Sequence, residues 1–326
     1  MYWRTRGIHR GSIALALSAS FITTTQAQDY PTRPVRLIVS VAPGGGTDIL
    51  ARQLARRLTE PFGQQVLVDN RPGGGTVIGS DFVAKSPPDG YTLLMQVNAL
   101  AANHTLFAKL PYDTLKDFAP VVLIASTPNV LVVHPSLPVK TAKEFVALAR
   151  AKPGEIAYAS SGHGGAAFLA AELLKLRTSI TMLHVPYKGT IPALTAMLSG
   201  EAQAMVPSLP GTIPYIQLRR VRALGVTSAQ RAPTTPDIPT MLEAGIADYE
   251  FSTWYGLFAP SRTPRETVAK LNTTVNTLLK QPDFRAQLAR DGLDVTGGTV
   301  VSFENYFRSE VTKLRDVIRA SGAKPE

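Results

Sequence analysis

Short apolar runs alternate with stretches in which Leu or Ala recurs at helical spacing along nearly the whole chain. Residues 35–41 read as a strand, and Leu50, Leu54 and Leu58, flanked by Ala51 and Ala55, then read as one face of a helix. Residues 66–68 predict a second strand and 79–85 a short helix. Further strands are predicted at 91–97, 121–125, 130–133, 156–160, 181–185, 221–226 and 251–258. Thr141 stands three residues before Glu144, the capping-box spacing, ahead of Phe145, Leu148 and Ala149. Leu169, Leu173 and Leu176 share a helical face, and so do Phe303, Phe307, Val311, Leu314 and Ile318 in the tail. Strand and helix in alternation predict an α/β fold with largely parallel strands.

Four of the strand-to-helix connections are glycine loops. The first holds Pro43, Gly44, Gly45, Gly46 and Thr47, followed by Asp48. The second holds Gly73, Gly74 and Gly75, with Gly79 in the segment after it. The third runs through Ser160, Ser161, Gly162, His163 and Gly165 to Ala166, and the fourth through Tyr187, Lys188, Gly189 and Thr190, the expected N-cap. A strand–loop–helix unit of this kind points free backbone N–H groups, at the positive end of a helix, toward an anion. Asp48 fits as a first-turn acid, turned aside from any anion. Two such units lie early and two in the middle, which predicts two similar lobes with a ligand cleft between them.

Composition narrows the setting. The chain has 326 residues, room for two lobes, with 44% apolar and 18% charged residues. It has no cysteine, which excludes disulfides and thiolate chemistry. Arg4, Arg6 and Arg10 precede an apolar run over 11–22 and small residues at Thr25 and Ala27. That order predicts a secretory leader over 1–27, and the run is too short to anchor a mature chain. Three of the ten excess positive charges belong to this leader. The remainder is spread without dense Lys/Arg runs or interleaved aromatic residues, so nucleic acid is not an expected partner.

Nucleotide and metal chemistry find no motif. The first loop lacks the Lys-Ser/Thr of a phosphate loop, and Ile49 and Ile78 replace the last glycine of a dinucleotide fingerprint. His104, His134, His163 and His184 have no zinc-type spacing. Ser160 or Ser161 beside His163 offers a rival reading as an exported serine hydrolase, but the G-x-S-x-G elbow is absent. Hydrogen-bond donation from His163 to a ligand is the reading preferred. Trp254 and Tyr255 are expected in core or hinge packing.

The runs Tyr30-Pro-Thr-Arg-Pro-Val-Arg-Leu-Ile-Val, Ala42-Pro-Gly-Gly-Gly-Thr-Asp48, Asn70-Arg-Pro-Gly-Gly-Gly75 and Asp89-Gly-Tyr-Thr-Leu93 resemble the tripartite tricarboxylate transporter substrate-binding proteins, the Bug family. Tyr112-Asp-Thr-Leu-Lys-Asp-Phe118, Tyr158-Ala-Ser-Ser-Gly162, Val185-Pro-Tyr-Lys-Gly189 and Trp254-Tyr-Gly-Leu-Phe-Ala-Pro260 continue the resemblance over the whole mature chain. It implies a periplasmic two-lobed binding protein of the type II, Venus-flytrap architecture with a hinge of two crossing strands. One lobe would hold residues 28–130 and 252–326, the other 131–251. The ligand would be a small carboxylate, a di- or tricarboxylate or an aromatic acid, held by loop N–H groups and hydroxyls without a cofactor or metal. The first lobe would contribute residues 43–47 and 73–79, the second 160–166 and 187–190. Family members often carry Phe-Asp-Ser where Val206-Pro207-Ser208 stands here, so a ligand's amino group would lose an acidic partner, which favours a simple carboxylate over an amino acid; Ser208 is counted among the expected ligand contacts. The partners implied are the ligand and the membrane permease subunits, or alternatively a sensor protein, with the receptor acting as a monomer and not as an enzyme.

Overall fold

The structure is a computed structural model and describes residues 1–3 and 30–323. The expected leader therefore lies, apart from its first three residues, outside the described residues. The strands are β1 (Val35–Val39), β2 (Val66–Asn70), β3 (Thr92–Gln96), β4 (Phe118–Pro128), β5 (Val130–Val133), β6 (Ala157–Ser160), β7 (Leu183–Pro186), β8 (Ala204–Met205), β9 (Arg222–Val226), β10 (Ser252–Pro260) and β11 (Asp294–Val295). The α-helices are α1 (Gly46–Phe62), α2 (Val77–Ala84), α3 (Asn98–Leu106), α4 (Ala142–Ala151), α5 (Ala166–Thr178), α6 (Thr190–Leu198), α7 (Ile213–Gln217), α8 (Arg265–Leu279), α9 (Pro282–Arg290) and α10 (Val300–Ser321).

Two sheets result. One has the order β11-β4-β10-β3-β1-β2, the other β7-β6-β8-β5-β9. The strands are not largely parallel, as the alternation predicted. Each sheet has a parallel half, β3-β1-β2 and β7-β6-β8, joined to antiparallel neighbours. The antiparallel members are chiefly the strands at the passages between sheets, β4, β5, β9 and β10, which need no right-handed helical crossover.

The inner parallel strands β1, β3 and β6 are buried at nearly every position because helices cover both faces, whereas the outer β2 and β7 are partly exposed. Leu37 packs with Leu50, Leu54 and Leu58 of α1, while its neighbour Ile38 points the other way onto Val83 and Leu100. Alternation on a strand thus feeds two cores rather than a core and a solvent face. The α10 face predicted from Phe303, Phe307, Val311, Leu314 and Ile318 is buried, and α10 lies against both α3 and α5.

The chain passes from one sheet to the other at Asn129, between β4 and β5, and returns through 250–252 into β10. A buried polar knot ties these passages together. The Asn129 amide donates to the Val206 carbonyl at 2.8 Å and accepts from the Thr253 hydroxyl at 2.7 Å. The Asn129 N–H donates to the Thr227 hydroxyl, which donates in turn to the Phe251 carbonyl. Trp254, also buried, donates its indole N–H to Glu310 of α10 at 3.0 Å.

Candidate functional site

The carboxyl ends of β1, β6 and β7 open onto one cavity of about 220 Å³. Ser40, Val41 and Gly73 to Thr76 form one wall, and Ser161 to His163 with Pro186 to Lys188 form the other. Ligands in open α/β sheets lie at such strand ends.

The second loop is built from backbone that only glycine adopts cheaply. Gly73, Gly74 and Gly75 have φ of 122°, 57° and 61°, and Thr76 follows at 75°. A β-branched residue in this region is strained, and its surroundings hold it there. Asn103 of α3 donates from one amide nitrogen to the Gly75 carbonyl at 3.0 Å and to the Thr76 hydroxyl at 3.3 Å. Among the described residues, no backbone hydrogen bond of the loops and turns uses the N–H of Gly73 or Ser161.

The third loop is a self-closed turn. The Ser160 hydroxyl accepts from Gly162 N–H at 3.1 Å, and the Gly162 carbonyl accepts from Gly165 N–H at 3.1 Å, at the start of α5. The two walls touch. A Cβ added at Gly75 would lie 2.7 Å from the His163 carbonyl, and one at Gly164 would lie 2.5 Å from the Asn103 side-chain oxygen. Ala42 N–H reaches the Lys188 carbonyl at 3.4 Å, and Gly189 backs onto Ala42. The cleft is therefore closed.

The first loop stands apart from the cavity lining. Gly44 and Gly45 face Ile191 and Thr190, and Gly46 faces the hydroxyls of Tyr255 and Ser208. Buried Asp48 turns back into its own loop, accepting from Gly44 N–H at 2.9 Å, from Asn70 at 2.9 Å and from Arg52 at 3.0 Å. Burial works against its charge, but the hydrogen bonds from Arg52, Gly44 and Asn70 and the Arg52 charge outweigh burial and hold the carboxyl below its ordinary range. The chain thus supplies its own anion to this loop. Pro43 and Thr47 lie beside it, also outside the cavity lining, as do Gly79 within α2 and Ala166 at the start of α5. Gly79 packs on Ser40, where an added Cβ would meet the Ser40 hydroxyl. Gly189, rather than Thr190, caps α6, with Thr190 its first residue.

Ser160 is fully buried, and its partner is His184, not His163. The Ser160 hydroxyl stands 2.7 Å from His184 Nε2, and the His184 ring stacks on Tyr158 at 4.9 Å and meets the His163 ring edge-on at 4.7 Å. A serine sealed in this way presents no nucleophile to the cleft. Burial first, then the charges of His163 and Lys175, lower the His184 pKa to about 3. Unfolded His184 returns toward its ordinary value of 6.5 and binds a proton that the folded form refuses. Its contribution to stability is therefore complete above that value and is lost as pH falls toward 3. Between pH 7 and pH 5 the wild-type protein should lose about 2 kcal/mol from this source. His184→Gln should show a correspondingly shallower pH dependence in chemical denaturation.

His184, Asn103 and the Ser40–Val41 wall were not singled out from the sequence. Histidine spacing carried no hint, because the parallel register that sets Tyr158 beside His184 brings distant residues together.

With the geometry in place, the relatives are informative. The family model of the tripartite tricarboxylate transporter family receptors matches residues 50–323. The chain belongs to this receptor family. Protein BugT of Bordetella pertussis is 36% identical over 318 residues, covering 95% of this chain and 98% of that protein. The R. palustris protein Rpa4515 with adipate superposes with a TM-score of 0.88 at 36% identity, covering 91% of this chain and all of that one. MatC from Rhodopseudomonas palustris with bound malate gives 0.85 at 32% identity, covering 89% of this chain and 100% of that one. Receptors of this family are periplasmic and bind small carboxylates, and their two-lobed α/β architecture is the one described above. Among the described residues, no helix is long and apolar enough to cross a membrane.

Proposed function

We propose that this receptor captures a small dicarboxylate in the closed cleft and delivers it to permease subunits of a tripartite tricarboxylate-type transporter. The observation that carries the reading is the cavity of about 220 Å³, walled on both sides by glycine loops. Its size lies below the roughly 300–1,000 Å³ of sites for drug-sized ligands, which favours a compact acid. The N–H groups of Gly73, Gly75 and Ser161 would hold one carboxylate beside the N-terminus of α2. Lys188, exposed at the rim and without an ion pair among the described residues, would face the other. The adipate and malate complexes of the relatives support an acid of this size. Residues 28–130 with 252–326 would move as one lobe and 131–251 as the other, about the Asn129 knot.

Thermal unfolding of the refolded protein across a panel of mono-, di- and tricarboxylates and aromatic acids tests the assignment. A ligand at 100 times its Kd adds about 2.7 kcal/mol, a rise of several degrees. Dicarboxylates are expected to give the largest rise, and a rise confined to aromatic acids would replace the assignment. Lys188→Met should weaken a dicarboxylate about threefold at low salt and less at high salt, since an exposed ion pair is worth roughly 0.2–1 kcal/mol. The same substitution should leave a monocarboxylate unchanged in calorimetric titration.

A further inference from the structure

His184 makes no direct contribution to the cavity lining, yet it touches two elements of the wall. Its Nε2 stands 2.7 Å from the buried Ser160 hydroxyl, and its ring meets that of His163 edge-on. The ring is also stacked on Tyr158 with an interplanar angle of 23°, and Phe168 packs against it at 4.8 Å. Tyr158 is itself fixed, because its hydroxyl donates to buried Glu172 at 2.6 Å and Glu172 pairs with Lys175 at 2.7 Å. The imidazole is thus clamped in position from behind.

The Ser160 oxygen accepts from Gly162 N–H, so its own proton is available to a second acceptor. In the tautomer with its proton on Nδ1, neutral His184 offers Nε2 as that acceptor, at 2.7 Å against 3.2 Å to the Gly162 carbonyl. The Gly162 carbonyl is then left to Gly165 N–H, which closes the turn. Each bond in the series fixes the next: clamped imidazole, serine hydroxyl, Gly162 amide, α5 cap.

We infer that His184 is a positioning residue of the ligand site: by accepting from Ser160 and bracing the His163 ring, it holds the 160–163 turn in the shape that receives a ligand carboxylate. The inference rests on the carboxylate reading of the cleft. A neutral acceptor is required there, because a protonated imidazole would turn Nε2 into a donor and release the serine proton from its present partner. The low proton affinity of buried His184 is consistent with that requirement.

The test compares His184→Phe, His184→Gln, Ser160→Ala and the Ser160→Ala/His184→Phe pair by calorimetric titration with adipate and malate. Titrations are run at a temperature where circular dichroism shows each variant folded. His184→Phe keeps a ring against Tyr158 and removes the acceptor, and is expected to weaken binding at least tenfold. His184→Gln places an amide oxygen near Nε2 and is expected to recover most of that loss. The double variant should lose no more than the larger single loss, because both changes break one bond. If His184→Phe binds like the wild type, or if the two losses multiply, the positioning role is overturned. A fall in melting temperature with unchanged affinity would also overturn it, leaving a packing residue. If the wild-type protein binds neither acid nor any other carboxylate, the carboxylate reading falls and this inference falls with it.

Discussion

Gly75→Ala should cost the protein at least 100-fold in ligand affinity while leaving it folded. At φ 61° an alanine is already strained, by about 1 kcal/mol or more. Its Cβ would also lie 2.7 Å from the His163 carbonyl across the cleft and 2.9 Å from the Phe107 ring. The carbonyl is backbone on the opposite wall and cannot swing aside as a side chain would, so the relief available is opening of the cleft. Apparent affinity then falls with the shrinking population of the closed state. A loss of 100-fold corresponds to about 2.7 kcal/mol. Gly154→Ala is the control, since Gly154 has φ 78° and no atom within 4 Å of an added Cβ. It should show the backbone strain as a small stability loss and bind normally. Small-angle scattering should show Gly75→Ala remaining open in the presence of saturating acid.

Asn129→Leu should be the most destabilising single change at the passages between the sheets. The leucine would remove both hydrogen bonds of the buried amide and leave the Val206 carbonyl and the Thr253 hydroxyl without partners. Each unsatisfied buried group costs about 1–3 kcal/mol. A loss of about 4 kcal/mol lowers the melting temperature by roughly 6 °C for a chain of this size. Combining Asn129→Leu with Thr253→Val should cost less than the sum of the two, because the valine removes one stranded hydroxyl. Calorimetric melting of the four proteins checks both statements.

Much of this architecture was legible in the chain because it rests on local signals. The buried face of α10 followed from the spacing of Phe303 to Ile318, and the strands of both parallel halves, except the two-residue β8, followed from short apolar runs. Helix α3 was not read, since Asn98, Ala99, Leu100, Ala101, Ala102 and Asn103 are all buried and no polar face marks a period. The four glycine loops were legible as loops, but their unequal roles were not. Asp48 was expected to turn aside, and it does so by returning to Gly44, Asn70 and Arg52, which fills the first loop from within. That depends on Asn70, which lies on the neighbouring strand and not in the loop's own sequence. The serine–histidine pairing went to His184 rather than His163 for a similar reason. Parallel register sets β7 beside β6, whereas adjacency in sequence places His163 beyond the turn.

In the proposed receptor the closed cleft recognises carboxylate groups through loop N–H donors. This recognition is tested most directly by titrating refolded protein with adipate and malate and, in parallel, with the corresponding diamides, which keep size and shape but carry no charge and present N–H donors. At least one diacid should bind one-to-one, with its diamide at least 100-fold weaker. Equal binding of acid and amide, or binding of the diacid with unchanged affinity in Gly75→Ala, would contradict such recognition.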